Sequence, residues 1–135
     1  MPDITTVVLG ASTNPARYAF LATQRLQEYG FTAIPIGIKE GKIGEIDIVM
    51  GRPDLENIHT VTLYLNPMRQ KEYYDYILGL QPKRIIFNPG TENSELMELA
   101  KQHNVETIEA CTLVMLSIGN YADTNDTSIK KDEQA

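Results

Sequence analysis

The sequence predicts an α/β fold, an open parallel sheet of about five strands in the order 3-2-1-4-5 with helices on both faces. Three observations lead there. Short apolar, β-branched runs alternate along the chain with longer stretches of near-helical apolar spacing. Several of the runs are apolar at consecutive positions, which suits strands buried on both faces. The dipeptide Asn-Pro follows three of them, at Asn14-Pro15, Asn66-Pro67 and Asn88-Pro89, where each strand has to turn into its next segment. In a parallel sheet those three turns share the carboxyl-end rim, where open α/β sheets bind ligands.

Thr5–Leu9 reads as the first strand and Gly10–Thr13 as a turn of small residues. Asn14 as cap and Pro15 as first helical residue predict a helix from Pro15 to about Tyr29, stopped by Gly30. Phe31–Ile36 is the second strand, with Pro35 near its end, where one N–H is dispensable. A glycine-rich loop carrying Lys39 and Lys42 follows, and Ile46–Val49 is a candidate small edge strand. Thr60–Leu65 is the third main strand, Asn66-Pro67 opens a helix to about Gly79, and Arg84–Phe87 is the fourth strand. Asn93 or Ser94 caps a helix, Val105–Ile108 is the fifth strand, and Cys111 to about Ile118 is a last short helix.

These elements make one domain, residues 1–121, and the aperiodic polar stretch 122–135 reads as a disordered tail. The net charge of −6 argues against a broad nucleic-acid footprint, which needs a basic face. A few local donors are enough for a small anion. Neither a basic-then-apolar leader nor an 18-residue apolar run is present, so the expected location is the cytoplasm, off the membrane. The single Cys111 allows no internal disulfide, and with two histidines it makes a poor metal set. Tyr73, Tyr74 and Tyr76 on one helix would, if exposed, give a self-association face and a homodimer.

The first strand–turn–helix is an anion-binding corner. It has one glycine, Gly10, followed by Ala11 and Ser12, so the G-x-G-x-x-G dinucleotide fingerprint is missing. Small residues at 11 and 12 still let a phosphate approach backbone N–H groups, and Ser12 and Thr13 add hydroxyls. The end of the second strand reads Ile36-Gly37-Ile38-Lys39, a cation where an NAD site would carry an acid. That suits a phosphorylated ribose, as in CoA or NADP, with Lys39 and Lys42 as candidates; the competing reading makes both lysines plain solvated loop charges. Arg17 either folds back over a pyrophosphate or is a surface arginine. The expected order places a crevice between Gly10–Asn14 and Asn88–Gly90, which adds Gly90 to the candidates. An acidic phospho-acceptor site is excluded because Gly10-Ala11-Ser12 stands where acids would be needed.

Val8–Arg17, Ile34-Pro35-Ile36 with its glycine/lysine loop, and Asn88–Asn93 together resemble the CoA-binding domain family. These are small Rossmann-like proteins similar to the N-terminal domain of the succinyl-CoA synthetase α subunit, and the likeness spans about residues 4–118. The resemblance implies a pyrophosphate at the first turn and an adenosine near the end of the second strand. It makes Gly10, Ala11, Ser12, Asn14, Arg17, Ile36, Lys39 and Pro67 the candidate contacts. One departure stands out: family members often carry Val-Asn-Pro where this chain has Ile36-Gly37-Ile38. The synthetases' phosphorylated histidine lies in a domain this chain does not contain. His59 and His103 read as packed or surface residues without a triad or metal context; Cys111 reads as a small buried core cysteine, the alternative being a thiol role near the functional rim. The expected function is therefore non-catalytic binding of coenzyme A or acyl-CoA. The alternatives are an NADP-binding oxidoreductase-like domain and an interaction module with a vestigial nucleotide pocket.

Overall fold

A computed structural model describes residues 4–122, so the expected tail lies outside the described residues except for Ala122. The chain alternates strand and helix. Strands β1 (Thr6–Ala11), β2 (Ala33–Gly37), β5 (Val49–Met50), β6 (Thr60–Leu63), β7 (Arg84–Phe87) and β8 (Glu106–Glu109) form one sheet in the order β5-β2-β1-β6-β7-β8. Every pair in it is parallel. A small antiparallel hairpin, β3 (Lys42–Ile43) with β4 (Ile46–Asp47), stands apart.

The parallel α/β architecture is as expected, but strand count and order are not. The sheet has six strands, and Thr60–Leu63 lies directly beside β1 instead of beyond β2. Burial explains the exchange. All four residues of β6 are buried, so the strand needs neighbours on both edges and cover on both faces. The two-residue β5 is partly exposed and suits an edge; it takes the place beyond β2 by pairing Val49 with Ile36.

Period-2 alternation sorts the core into two layers. Val7, Leu9, Val61, Leu63, Ile85 and Phe87 face one way, against Ile77 of α3 (Tyr74–Gly79) and Leu96 and Ala100 of α4 (Ser94–Gln102). Val8 and Ile86 face the other way, against Ala19 and Leu26 of α1 (Tyr18–Glu28) and Met115 and Leu116 of α5 (Thr112–Ser117). A third cluster, Ala11, Ile43 and Ile48 with Phe20, seats the hairpin beside the end of β1. The tyrosines Tyr73, Tyr74 and Tyr76 pack partly against the α3/α4 layer. Tyr76 donates to the Pro53 carbonyl at 2.6 Å and Tyr74 to Glu95 at 2.9 Å.

Helix α1 begins at Tyr18, three residues later than expected. The Asn14 side chain accepts the Ala16 N–H at 3.0 Å and the Asn14 carbonyl accepts the Arg17 N–H at 3.0 Å. Asn14 thereby holds a turn over residues 14–17, and the extended Arg17 becomes the N-cap residue. Asn66 does cap α2 (Pro67–Gln70), accepting the Arg69 N–H at 2.9 Å, and Asn93 caps α4.

The amino-end rim buries a polar row, Thr6, Thr60 and Arg84, in register across three strands. Arg84 is 1% exposed; its Nε donates to Thr60 Oγ1 at 2.7 Å, and its guanidinium lies 4.4 Å from the centre of the Tyr121 ring. Tyr121 in turn bonds Thr6 through its hydroxyl at 2.5 Å. Next to this row His59 is buried, with Nδ1 2.8 Å from Thr60 Oγ1. Burial, with the Arg84 and Lys83 charges adding to it, lowers the His59 pKa to about 4.

Candidate functional site

The corner at the end of β1 is built by close backbone approach. Gly10 has φ +101° and interrupts the β1–β2 register between Leu9 and Ala11. A Cβ at Gly10 would lie 3.0 Å from the Tyr64 carbonyl carbon and 3.1 Å from Leu65 Cδ2, so only glycine lets the turn settle against the segment after β6. On the other side a Cβ at Gly37 would stand 2.5 Å from the Ala11 carbonyl oxygen. The turn is thus gripped between the ends of β2 and β6, and the strand order puts the crevice position of an open sheet between Gly10–Asn14 and Tyr64–Pro67. Gly90 follows β7, one strand further along.

Within the turn several side chains serve the turn itself. Ser12 Oγ accepts the Asn14 N–H at 3.0 Å. Ala11 is buried in the hairpin cluster, and the Thr13 methyl lies against the Gly41 backbone, which fastens the lysine-bearing loop to the corner. Asparagine side chains occupy the first N–H groups of the other helices that start on this rim: Asn66 for α2, Asn93 for α4, and Asn88, which accepts the Thr112 N–H of α5 at 2.8 Å. Helix α1 has no side-chain cap. Its N-terminus is the one where the partial positive charge and unclaimed donors coincide.

Arg17 and Lys39 are exposed at this corner and make no ion pair among the described residues. Lys42 differs: its Nζ sits 3.0 Å from Asp47 across the hairpin, so much of its charge is already answered. Pro67 is the first residue of α2, half-buried on the β6 side of the crevice. Ile36 is 1% exposed and its side chain belongs to the core, so only its backbone faces the corner. The Gly90 N–H is taken by Glu92 Oε1 at 3.0 Å. The structure therefore gathers Gly10–Asn14, Arg17, Lys39 and Pro67, and leaves Ile36, Lys42 and Gly90 with other partners.

The sequence reading missed Tyr64 and Leu65, which form the second wall, and Gln70 behind them. Their only local signal was the Asn66-Pro67 dipeptide between them. Tyr64 also has its hydroxyl pKa raised, chiefly by burial and further by the nearby Cys111. Cys111 itself is half-buried at the N-cap of α5 and is not a core residue.

A glycine-built βα corner beside an uncapped helix start, in a parallel open sheet, defines a Rossmann-like nucleotide-binding fold. The chain matches the profile of the CoA binding domain over residues 5–117, and it belongs to that family. No curated protein matches it significantly. Among solved structures it is similar to an uncharacterised protein at 47% identity, covering 90% of this chain and all of that one, with a TM-score of 0.86. The Thermus thermophilus protein cell-free ID.343 is 20% identical over 88% of this chain and 91% of its own, with a TM-score of 0.77. A conserved hypothetical protein from Pyrococcus furiosus is 21% identical over 82% and 97%, with a TM-score of 0.73. The last two likenesses speak for the fold alone. No helix among the described residues is long and apolar enough to cross a membrane.

Proposed function

We propose that this protein binds coenzyme A or an acyl-CoA without transforming it. The pyrophosphate lies at the β1–α1 turn, Arg17 stands over it, and Lys39 answers the 3′-phosphate. The observation that carries this reading is the uncapped start of α1 on a rim whose other helix starts are closed by asparagine. Backbone donors, a helix dipole and two unpaired cations converge there in a chain of net charge −6. Membership of the CoA binding domain family gives the anion its chemical class. A binding role without chemistry agrees with the histidines: His59 is at the opposite rim, and His103 ends α4 with its ring held by the Leu99 carbonyl at 2.9 Å.

Calorimetry with CoA, dephospho-CoA and NADP tests the reading. CoA is expected to bind several-fold tighter than dephospho-CoA, with NADP weaker than both. Equal affinity for CoA and dephospho-CoA would remove the Lys39 assignment. Saturation by NADP alone would replace the reading with the oxidoreductase-like one, and no binding by any of the three would leave a vestigial pocket.

A further inference from the structure

We propose that Gln70 is a positioning residue for the pantetheine arm of the ligand, acting through a buried amide clamp that sets the far wall of the crevice. The inference rests on the CoA reading above. Gln70 is 0% exposed, although it is polar and lies in a four-residue helix just behind the rim. Its Nε2 donates to the Leu65 carbonyl and to the Thr91 carbonyl, both at 2.8 Å, and its Oε1 accepts from Asn93 Nδ2 at 2.8 Å. One side chain therefore joins the segment after β6 to the segment after β7, and joins both to the cap of α4.

Both segments lie past their strands, β6 ending at Leu63 and β7 at Phe87, and the one after β6 keeps a backbone bond to the sheet only from the Tyr64 N–H to the Leu9 carbonyl at 2.9 Å. The Leu65 end of the clamp is also the wall against which Gly10 packs. The Thr91 end is tied back through its N–H and hydroxyl to the Asn88 carbonyl, at 2.9 and 2.7 Å. An apolar residue at 70 would fill the space, take the Gln70 donor from two carbonyls and leave the Asn93 amide with the Tyr74 hydroxyl alone, which is costly inside a protein. The geometry divides the ligand. The phosphates and ribose belong to the side gripped by β1 and β2, with Arg17 and Lys39. An arm leaving that corner away from Lys39 runs over the two clamped segments, whose positions the clamp fixes.

Gln70→Met keeps the length of the side chain and removes every clamp hydrogen bond. Calorimetry on the full chain compares CoA with adenosine 3′,5′-bisphosphate, which lacks the arm. The expected result is about a tenfold loss of CoA affinity with bisphosphate affinity held within about twofold. Unchanged CoA affinity, or an equal loss for both ligands, overturns the proposal. Should the variant fail to fold, the unaltered protein still decides it. In NMR titrations, CoA is expected to shift the Gln70 side-chain amide and the backbone amides of Tyr64, Leu65 and Thr91, and the bisphosphate to leave them in place. Identical shifts from both ligands overturn it. If the bisphosphate binds the unaltered protein and CoA adds nothing to it, the clamp inference fails while a nucleotide site stands. If neither binds, the CoA reading fails and the inference falls with it.

Discussion

The two rims of this sheet use polar residues in opposite ways. At the amino-end rim Arg84, His59, Thr6 and Thr60 are buried, and Tyr121 closes over them with its ring on the guanidinium. At the carboxyl-end rim Arg17, Lys39 and the start of α1 are open, and the buried polar groups Asn88, Gln70 and Asn93 are spent on fixing loops. Arg84 makes no ion pair among the described residues; the Tyr121 ring faces its guanidinium instead. The contrast teaches where function can reside. A cation enclosed by the fold, as Arg84 is, lies out of a ligand's reach. A cation held at the mouth of a helix N-terminus, with nothing to answer it, is available to a ligand.

The strongest way to break the closed rim is Tyr121→Ala. It removes the ring over Arg84, the bond to Thr6 and the edge contact with Phe31 at 5.1 Å between centroids. A loss of about 3–5 kcal/mol is expected in urea denaturation, with CoA affinity unchanged wherever the protein remains folded. Loss of CoA binding by the folded variant would show that the rims are not independent.

A second, smaller effect comes from pH. His59 is held neutral, with its folded pKa lowered from 6.5 to about 4, chiefly by burial. The unfolded chain takes up this proton first, so the His59 contribution is complete above pH 6.5 and is lost as pH falls toward 4. The expected loss across that window is on the order of 2 kcal/mol. In paired denaturation series His59→Leu should flatten the slope in the upper part of the window, where the carboxylates titrate little. Parallel slopes in the two proteins would count against His59 as the source.

The smallest effect sharpens the open rim. Lys39→Ala is expected to weaken CoA about three- to tenfold and dephospho-CoA hardly at all, and the difference should shrink at high salt. Lys42→Ala should change either ligand less than about twofold, because Asp47 already answers that lysine. Equal effects from the two lysines would place the 3′-phosphate over the hairpin instead.

Much of this was legible in the chain because it is local. The β1 and β7 cores, the caps at Asn66 and Asn93, and the small-residue turn at Gly10 each depend on neighbours a few residues away. Asn14 shows the limit of such reading. The same Asn-Pro signal that opens α2 forms a turn at α1, because Asn14 binds the Ala16 N–H and delays the helix to Tyr18. Of the candidate site only one wall is local in the chain: Gly10 to Arg17 are contiguous, whereas Tyr64, Leu65 and Gln70 come beside them through the tertiary fold.

By itself the sequence determined the α/β alternation, the parallel sheet and the small-residue turn between β1 and α1, since periodicity, capping and backbone sterics act along the chain. The tertiary structure decided which strand neighbours β1, which lysine is free, and which polar residues are buried. Strand order turns on which segment can be covered on both faces, and β6 can be where β5 cannot. Lys42 is answered by Asp47 and Lys39 has no such partner, although both stand in one loop region, because only the hairpin register brings an acid to one of them. Such pairings are made between distant parts of the chain, and only the folded arrangement brings those parts together.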